Sequence, residues 1–201
     1  MNRGVGSPVS LTGTLDRSHD AAALGVSPWN RATKDEANGE RTFRERSGVS
    51  WFEAPVPAED MHGLAKVRDG LPAGMDLATG EYGSDPSYFV RVLSNGAADV
   101  VQADATRCGG VTGFMATAAL SAAWNVPFSS HTAPSIHAHV CAAAPEPFRH
   151  LEYFRDHVRL EEMLFEGAPR ARNGELAPDR SRPGLGLVFG EREAEPFEVS
   201  A

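Results

Sequence analysis

Cysteine is nearly absent from this 201-residue sequence: Cys108 and Cys141 are the whole supply. Two thiols cannot build a disulfide framework, so free cysteines in a reducing, cytoplasmic setting are expected. No apolar run approaches the ~20 residues of a membrane-spanning helix, which leaves no membrane partner to expect. The opening stretch MNRGVGSPVSLTG has no apolar core, so no secretory leader is expected either. Positive charge is in deficit, with 19 Lys and Arg against 27 Asp and Glu and a net charge of −8. That balance excludes the basic footprint that nucleic acid demands. It does not exclude an anionic substrate, because a bound divalent cation can reverse the field locally. Glycine-rich nucleotide loops of the GxGxxG or GxxxxGKS kind are missing too, and CGGVTG opens a helix of a different type.

Residues 1–48 have few aliphatics and no clear period, and they carry the charged tract RATKDEANGERTFRERSG. A segment of that composition is expected to be flexible or poorly folded by itself. From Val49 onward short apolar runs alternate with helical patterns. The runs are VSWFE, MDLATGE, DVVQAD, VPFSSH and RHLEYF, and the helices between them are expected at about 59–70, 86–95, 111–124 and 135–144. Asp85 before Pro86 is a capping side chain followed by proline at the first helical position. Strands alternating with helices imply parallel pairing under a helical layer, an α/β fold.

Each run ends near a polar side chain: Glu53, Glu81, Asp104, His131 and Glu152, spaced 28, 23, 27 and 21 residues apart. One functional group at every strand tip, once per strand–helix unit, is the arrangement of a (β/α)8 barrel. An open doubly wound sheet would gather its site at a single switch point instead. Only about five units are legible, so the expected fold is part of a barrel over residues 49–160, with 1–48 before it and a tail at 161–201.

Glu53 and Glu81, on neighbouring strands, must share a proton or a cation if they come close, and Mg2+ suits such a pair. Each could equally cap the next helix or pair with a basic neighbour. Asp104 beside His131 would fix the imidazole tautomer and raise its basicity, making a general base. A histidine after VPFSS can also be purely structural. Glu152 could donate a proton to developing negative charge, or form an ordinary ion pair. His137 and His139, two apart in SIHAH, cannot share a helix face and read as packing near the barrel mouth. Cys108 reads as a small packed residue.

WFEAPV, TGEYG, VVQADATRCGGVTGF, SSHTAPSIHAH, HLEYF and APDRSRPGLGL, in that order, resemble the C-terminal part of the enolase superfamily, mandelate racemase and muconate lactonizing enzyme type. The resemblance covers about residues 49–190. It implies that Glu53 and Glu81 are two of three Mg2+ ligands, that Asp104 and His131 form the acid–base dyad, and that Glu152 is the acid opposite the metal. It implies removal of the proton alpha to a carboxylate, in an acid-sugar dehydratase or a racemase acting on a small hydroxy acid. The capping domain and early barrel strands of that family, with their lysine base, have no counterpart here, so a truncated chain is expected. DEANGE, residues 35–40, puts Glu36 in the third ligand's place, but no apolar strand precedes it and Trp51 follows only 15 residues later. Weak Mg2+ binding and an exposed barrel interior that drives self-association are therefore expected. Leu185, Leu187, Val188 and Phe189 are expected to lack cover. The alternative is an inactive remnant, or a half barrel that binds a partner.

Overall fold

Asp85 and Pro86 show how local chemistry sets the elements. The Asp85 carboxylate accepts from the backbone N–H of Ser87 and Tyr88, satisfying two donors that a helix start leaves orphaned. Pro86, with its fixed φ and no N–H, opens the helix behind it. Asp60 does the same for the preceding helix through the N–H of Gly63. The computed structural model describes residues 50–199 together with the two-residue strand Val9–Ser10 (β1). The expectations for the rest of 1–48, Glu36 and DEANGE included, lie outside the described residues.

Five parallel strands follow in chain order: β2 (Trp51–Glu53), β3 (Asp76–Thr79), β4 (Val100–Ala103), β5 (Phe128–Ser130) and β6 (Phe148–Leu151). Between them lie α1 (Met61–Gly70), α2 (Pro86–Ser94), α3 (Gly110–Ala123) and α4 (Pro134–Cys141). Each lies within three residues of its expected bounds. The sheet order is β2-β3-β4-β5-β6, every neighbour consecutive in sequence. This is part of an α/β barrel, and each strand tip points the same way. Helix α5 (Arg155–Leu164) runs across residue 160, where the tail was expected to start. The tail proper holds β7 (Phe165–Glu166), β8 (Glu175–Leu176), β9 (Val188–Phe189) and a short helix α6 (Glu191–Ala194). β7 pairs with β9 and β8 with β1, both antiparallel.

Alternation along the strands separates two faces. Leu77, Val101, Ala103, Phe128 and Leu151 pack beneath the helices with Phe89, Val92, Phe114 and Ala118. On the other face Gln102, Ser129 and His150 lie in register across three strands. That concave face was expected to be exposed, and it is not: Gln102, Ser129 and His150 are buried. The sheet curls far enough for its edge strands to meet. The rings of Trp51 on β2 and His150 on β6 stand 4.4 Å apart, and Arg149 pairs with Asp76 while lying over Trp51. As expected, the tail's Leu185, Val188 and Phe189 are exposed, although Leu187 is half-buried.

Two glycines bring backbones into close approach. A Cβ on Gly113 of α3 would lie 1.8 Å from the carbonyl oxygen of Cys108, and one on Gly80 would lie 2.2 Å from that of Gln102. Gly80 also adopts φ 132°, a turn that L side chains resist and that swings the next residue, Glu81, toward the barrel mouth.

Phe89 is fully buried on the inner stripe of α2, its ring edge-on to Tyr88. Phe89→Ala should lower unfolding free energy by about 3–5 kcal/mol, the range for a large aromatic removed from a close-packed core. Urea denaturation followed by circular dichroism measures it. A loss under about 1 kcal/mol would mean that this stripe is not packed as described.

Candidate functional site

The chain delivers one polar side chain at each strand tip, and three of the five arrive in the first position beyond the strand. Asp104 follows β4, His131 follows β5 and Glu152 follows β6, while Glu53 is the last residue of β2 and Glu81 lies past the Gly80 turn. Glu53, Glu81 and His131 line one cleft of about 680 Å³, together with Tyr82, Ala54 and residues 56–59.

Asp104 is almost wholly buried, and both its oxygens are occupied. Oδ1 accepts from the N–H and the hydroxyl of Thr106, at 2.8 and 2.7 Å. Oδ2 lies 3.0 Å from Nδ1 of His131. Burial alone would push this carboxyl up, but the hydrogen bonds from His131 and Thr106 outweigh it and hold the group at about 2. An ionised carboxylate can only accept, so Nδ1 of His131 carries the hydrogen and Nε2 keeps its lone pair. Burial works against charge on His131 as well, yet the bond to Asp104 and the charges of Glu152 and Asp104 win and raise its affinity for a proton. The pair is a base with one free nitrogen beside the cleft. Arg107 sits nearby, Nε 3.5 Å from Asp104, and donates to the carbonyl oxygen of Glu81.

Glu152 accepts from the N–H of Thr132 at 2.8 Å. Burial, then the charge of Glu53, raises its carboxyl from 4.5 to about 7, so near neutral pH it is a proton donor. Glu81 is raised too, by burial first and also by Glu53, against hydrogen bonds from the backbone around it. Glu53 accepts from the indole N–H of Trp51 at 2.9 Å. Three carboxylates thus share one electrostatic neighbourhood.

Glu53 and Glu81 offer hard oxygen donors that fit a divalent cation of the Mg2+ kind. Among the described residues, however, no three His, Cys, Asp or Glu side chains come together as a complete ligand set. Sequence reasoning also passed over Thr106, whose place two residues after an aspartate is the pattern of a side-chain turn, and Arg107 and Tyr82, which no local pattern marks. The bland readings of two other residues fit the geometry. Cys108 is buried, and its thiol is pushed up to about 11 by burial and by the charge of Asp104. His137 is fully buried near the mouth.

Comparison with known proteins joins this geometry to a family. The family model described as enolase C-terminal domain-like matches residues 18–193. The chain belongs to that family. Within the enolase family it is 31% identical over 148 residues to L-talarate/galactarate dehydratase of Salmonella typhimurium, covering 74% of this chain and 35% of that protein. A mandelate racemase/muconate lactonizing enzyme-like protein from Rubrobacter xylanophilus superposes with a TM-score of 0.76 at 40% identity, covering 82% of this chain and 45% of that one. An enolase from Bradyrhizobium, solved with magnesium and mandelic acid, gives a TM-score of 0.72 at 28% identity, covering 86% and 45%. The chain spans less than half the length of the curated relatives it matches.

The raised carboxyl of Glu152 has a consequence for stability. Between 4.5 and about 7 the folded chain holds a proton on this group that the unfolded chain has released, so its contribution to stability falls as pH rises through that window. Glu152→Gln removes the titration. Thermal melts without divalent cations should show the variant gaining on the parent from about pH 4.5 to about pH 7 and holding level above. A difference independent of pH would mean that Glu152 titrates like an exposed glutamate.

Proposed function

We propose that the chain carries the acid–base part of a Mg2+-dependent site that removes the proton alpha to the carboxylate of a small hydroxy acid, with an acid sugar as substrate and dehydration as the outcome. The carrying observation is the pair Asp104–His131, 3.0 Å apart at adjacent strand tips, with His131 facing the cleft that holds Glu53 and Glu81. Likeness to a dehydratase supports the choice of reaction. The magnesium and mandelic acid in the Bradyrhizobium enolase support the cation and the α-hydroxy acid. Cys108 and Cys141, both free, support a cytoplasmic location.

Glu53 and Glu81 would hold Mg2+, which when bound neutralises a substrate carboxylate and so acidifies the neighbouring C–H bond. His131 takes that proton at Nε2 while Asp104 keeps Nδ1–H in place and stabilises the imidazolium that results. Glu152 supplies a hydrogen bond to the oxygen on which negative charge grows. The imidazolium of His131 then protonates the departing β-hydroxyl, which completes a dehydration; racemisation would instead need a proton delivered to the opposite face of the carbon by a second acid. The second reading, a half barrel that binds a partner without turnover, is favoured by the absence of a third cation ligand among the described residues. β2 and β6 pair on one side only among those residues, which supports association in solution.

Proton exchange from acid sugars in D2O with Mg2+, followed by NMR, separates the readings. On the first, the parent exchanges, His131→Asn abolishes exchange on one face, and Asp104→Asn costs nearly as much. Glu152→Gln should slow turnover by ~10²–10³ with little change in binding, as for loss of one oxyanion donor. Parent and His131→Asn exchanging equally would overturn the dyad assignment and return His131 to a structural role; neither exchanging leaves the partner-binding reading.

A metal titration is a separate check. With two carboxylate ligands the affinity for Mg2+ should be no tighter than on the order of millimolar, and Glu81→Gln should remove it. Micromolar binding lost in Glu36→Ala would instead show that DEANGE supplies the third ligand.

A further inference from the structure

His137 stands on α4, six residues beyond His131, wholly buried, with both ring nitrogens in use. Nδ1 lies 2.6 Å from the carbonyl oxygen of Thr132, which can only accept, so Nδ1 carries the hydrogen. Nε2 lies 3.0 Å from the backbone nitrogen of Ala105, which can only donate, so Nε2 presents its lone pair. Two backbone partners of opposite kind thus fix one neutral tautomer, and burial of the ring, which lowers its proton affinity, agrees with them. Phe114 packs at 5.2 Å between ring centres and limits rotation of the imidazole.

The placement of those two partners carries the inference. Ala105 is the residue after Asp104, and Thr132 is the residue after His131. The backbone ladder between β4 and β5 ends at the N–H of His131, which donates to the carbonyl of Ala103. Beyond that bond the two chains part, and Thr132 and Ala133 turn through φ 46° and 38°, a conformation that non-glycine residues adopt only when surroundings impose it. We propose that His137 is the positioning residue of the Asp104–His131 dyad, clasping the backbone after one member to the backbone after the other. It serves as one further rung across β4 and β5, made by a side chain where the backbone rungs have run out. A dyad bond of 3.0 Å weakens steeply with misalignment, so letting Ala105 and Thr132 drift apart would free His131 to rotate and exchange tautomers.

The inference rests on the dyad reading above, and NMR of the full chain separates the two without any activity measurement. In the parent, a scalar coupling across the hydrogen bond should join the amide nitrogen of Ala105 to Nε2 of His137. At about pH 9, where imidazoles are neutral, the ring nitrogen shifts of His131 should report Nδ1–H alone. His137→Phe keeps a planar ring but loses both bonds. It should shift the His131 tautomer ratio by on the order of tenfold toward Nε2–H, the worth of about one hydrogen bond. His137→Gln, with a donor and an acceptor, should restore most of it. Asp104→Ala is the control: a His131 tautomer unmoved by it overturns the dyad itself. A tautomer moved by Asp104→Ala and unmoved by His137→Phe overturns the positioning role alone. Should His137→Phe fail to fold, absence of the Ala105–His137 coupling in the parent overturns that role as well.

Discussion

The bond between Asp104 Oδ2 and His131 Nδ1 is the contact on which the proposed chemistry of this barrel segment depends, and much of its surroundings holds it in place. A buried carboxylate is costly unless its lone pairs are met. Asp104 meets that cost with donors from three sources: the Thr106 backbone, the Thr106 hydroxyl and the His131 ring. The same donors hold its oxygens in one orientation, so the satisfaction of a buried charge and the aiming of a base are one event. His131 is anchored in turn by its own N–H on Ala103. Neither residue could drift without leaving a charge unpaired in the interior.

Glu53, Glu81 and Glu152 obey the opposite logic. Burial and mutual repulsion push Glu81 and Glu152 toward the protonated form, and neither has a basic side chain hydrogen-bonded to it among the described residues. A neighbourhood of this kind stores unfavourable electrostatics that a cation or a proton relieves. Glu152, backed by the Thr132 amide, is suited to the proton, whereas Glu53 and Glu81 in the open cleft are suited to the cation. The Thr132 amide also ties Glu152 to the loop that carries His131, so acid and base are adjusted by one turn of chain.

The sequence disclosed the strand tips because parallel strand–helix units repeat at a nearly constant length, and a polar residue at the end of an apolar run breaks the pattern visibly. It disclosed one helix start through Asp85, whose capping chemistry is local. What it could not disclose was long-range. The curl of the sheet, which brings Trp51 to His150 and Arg149 to Asp76, depends on residues 99 and 73 positions apart, and so the concave face was wrongly expected to lie open. His137 shows the same limit in smaller form: packing was legible from its neighbours, but its two backbone partners belong to other turns of the chain. The helix that crosses residue 160 follows β6 as each earlier helix follows its strand, a continuation hidden by the polar run RDHVRLEE.

These differences bear on which part of the site tolerates a change of context. β4 and β5 are paired on both sides, and the dyad they carry is clasped by α4 and capped by Thr106 within a span of 34 residues, from Asp104 to His137. Nothing in that set reaches outside the described residues. Glu53, by contrast, ends an edge strand, is half-buried, and is steadied by Trp51 on the same strand. Its position relative to Glu81 depends on how β2 is held on the side that carries no strand among the described residues. The geometry of the proposed base is therefore an internal property of the central strands, whereas the proposed cation site depends on the edge strand β2. On the proposed reading, a chain of this design keeps a well-formed proton acceptor while a cation site at Glu53 and Glu81 strengthens or fails with whatever lies against β2.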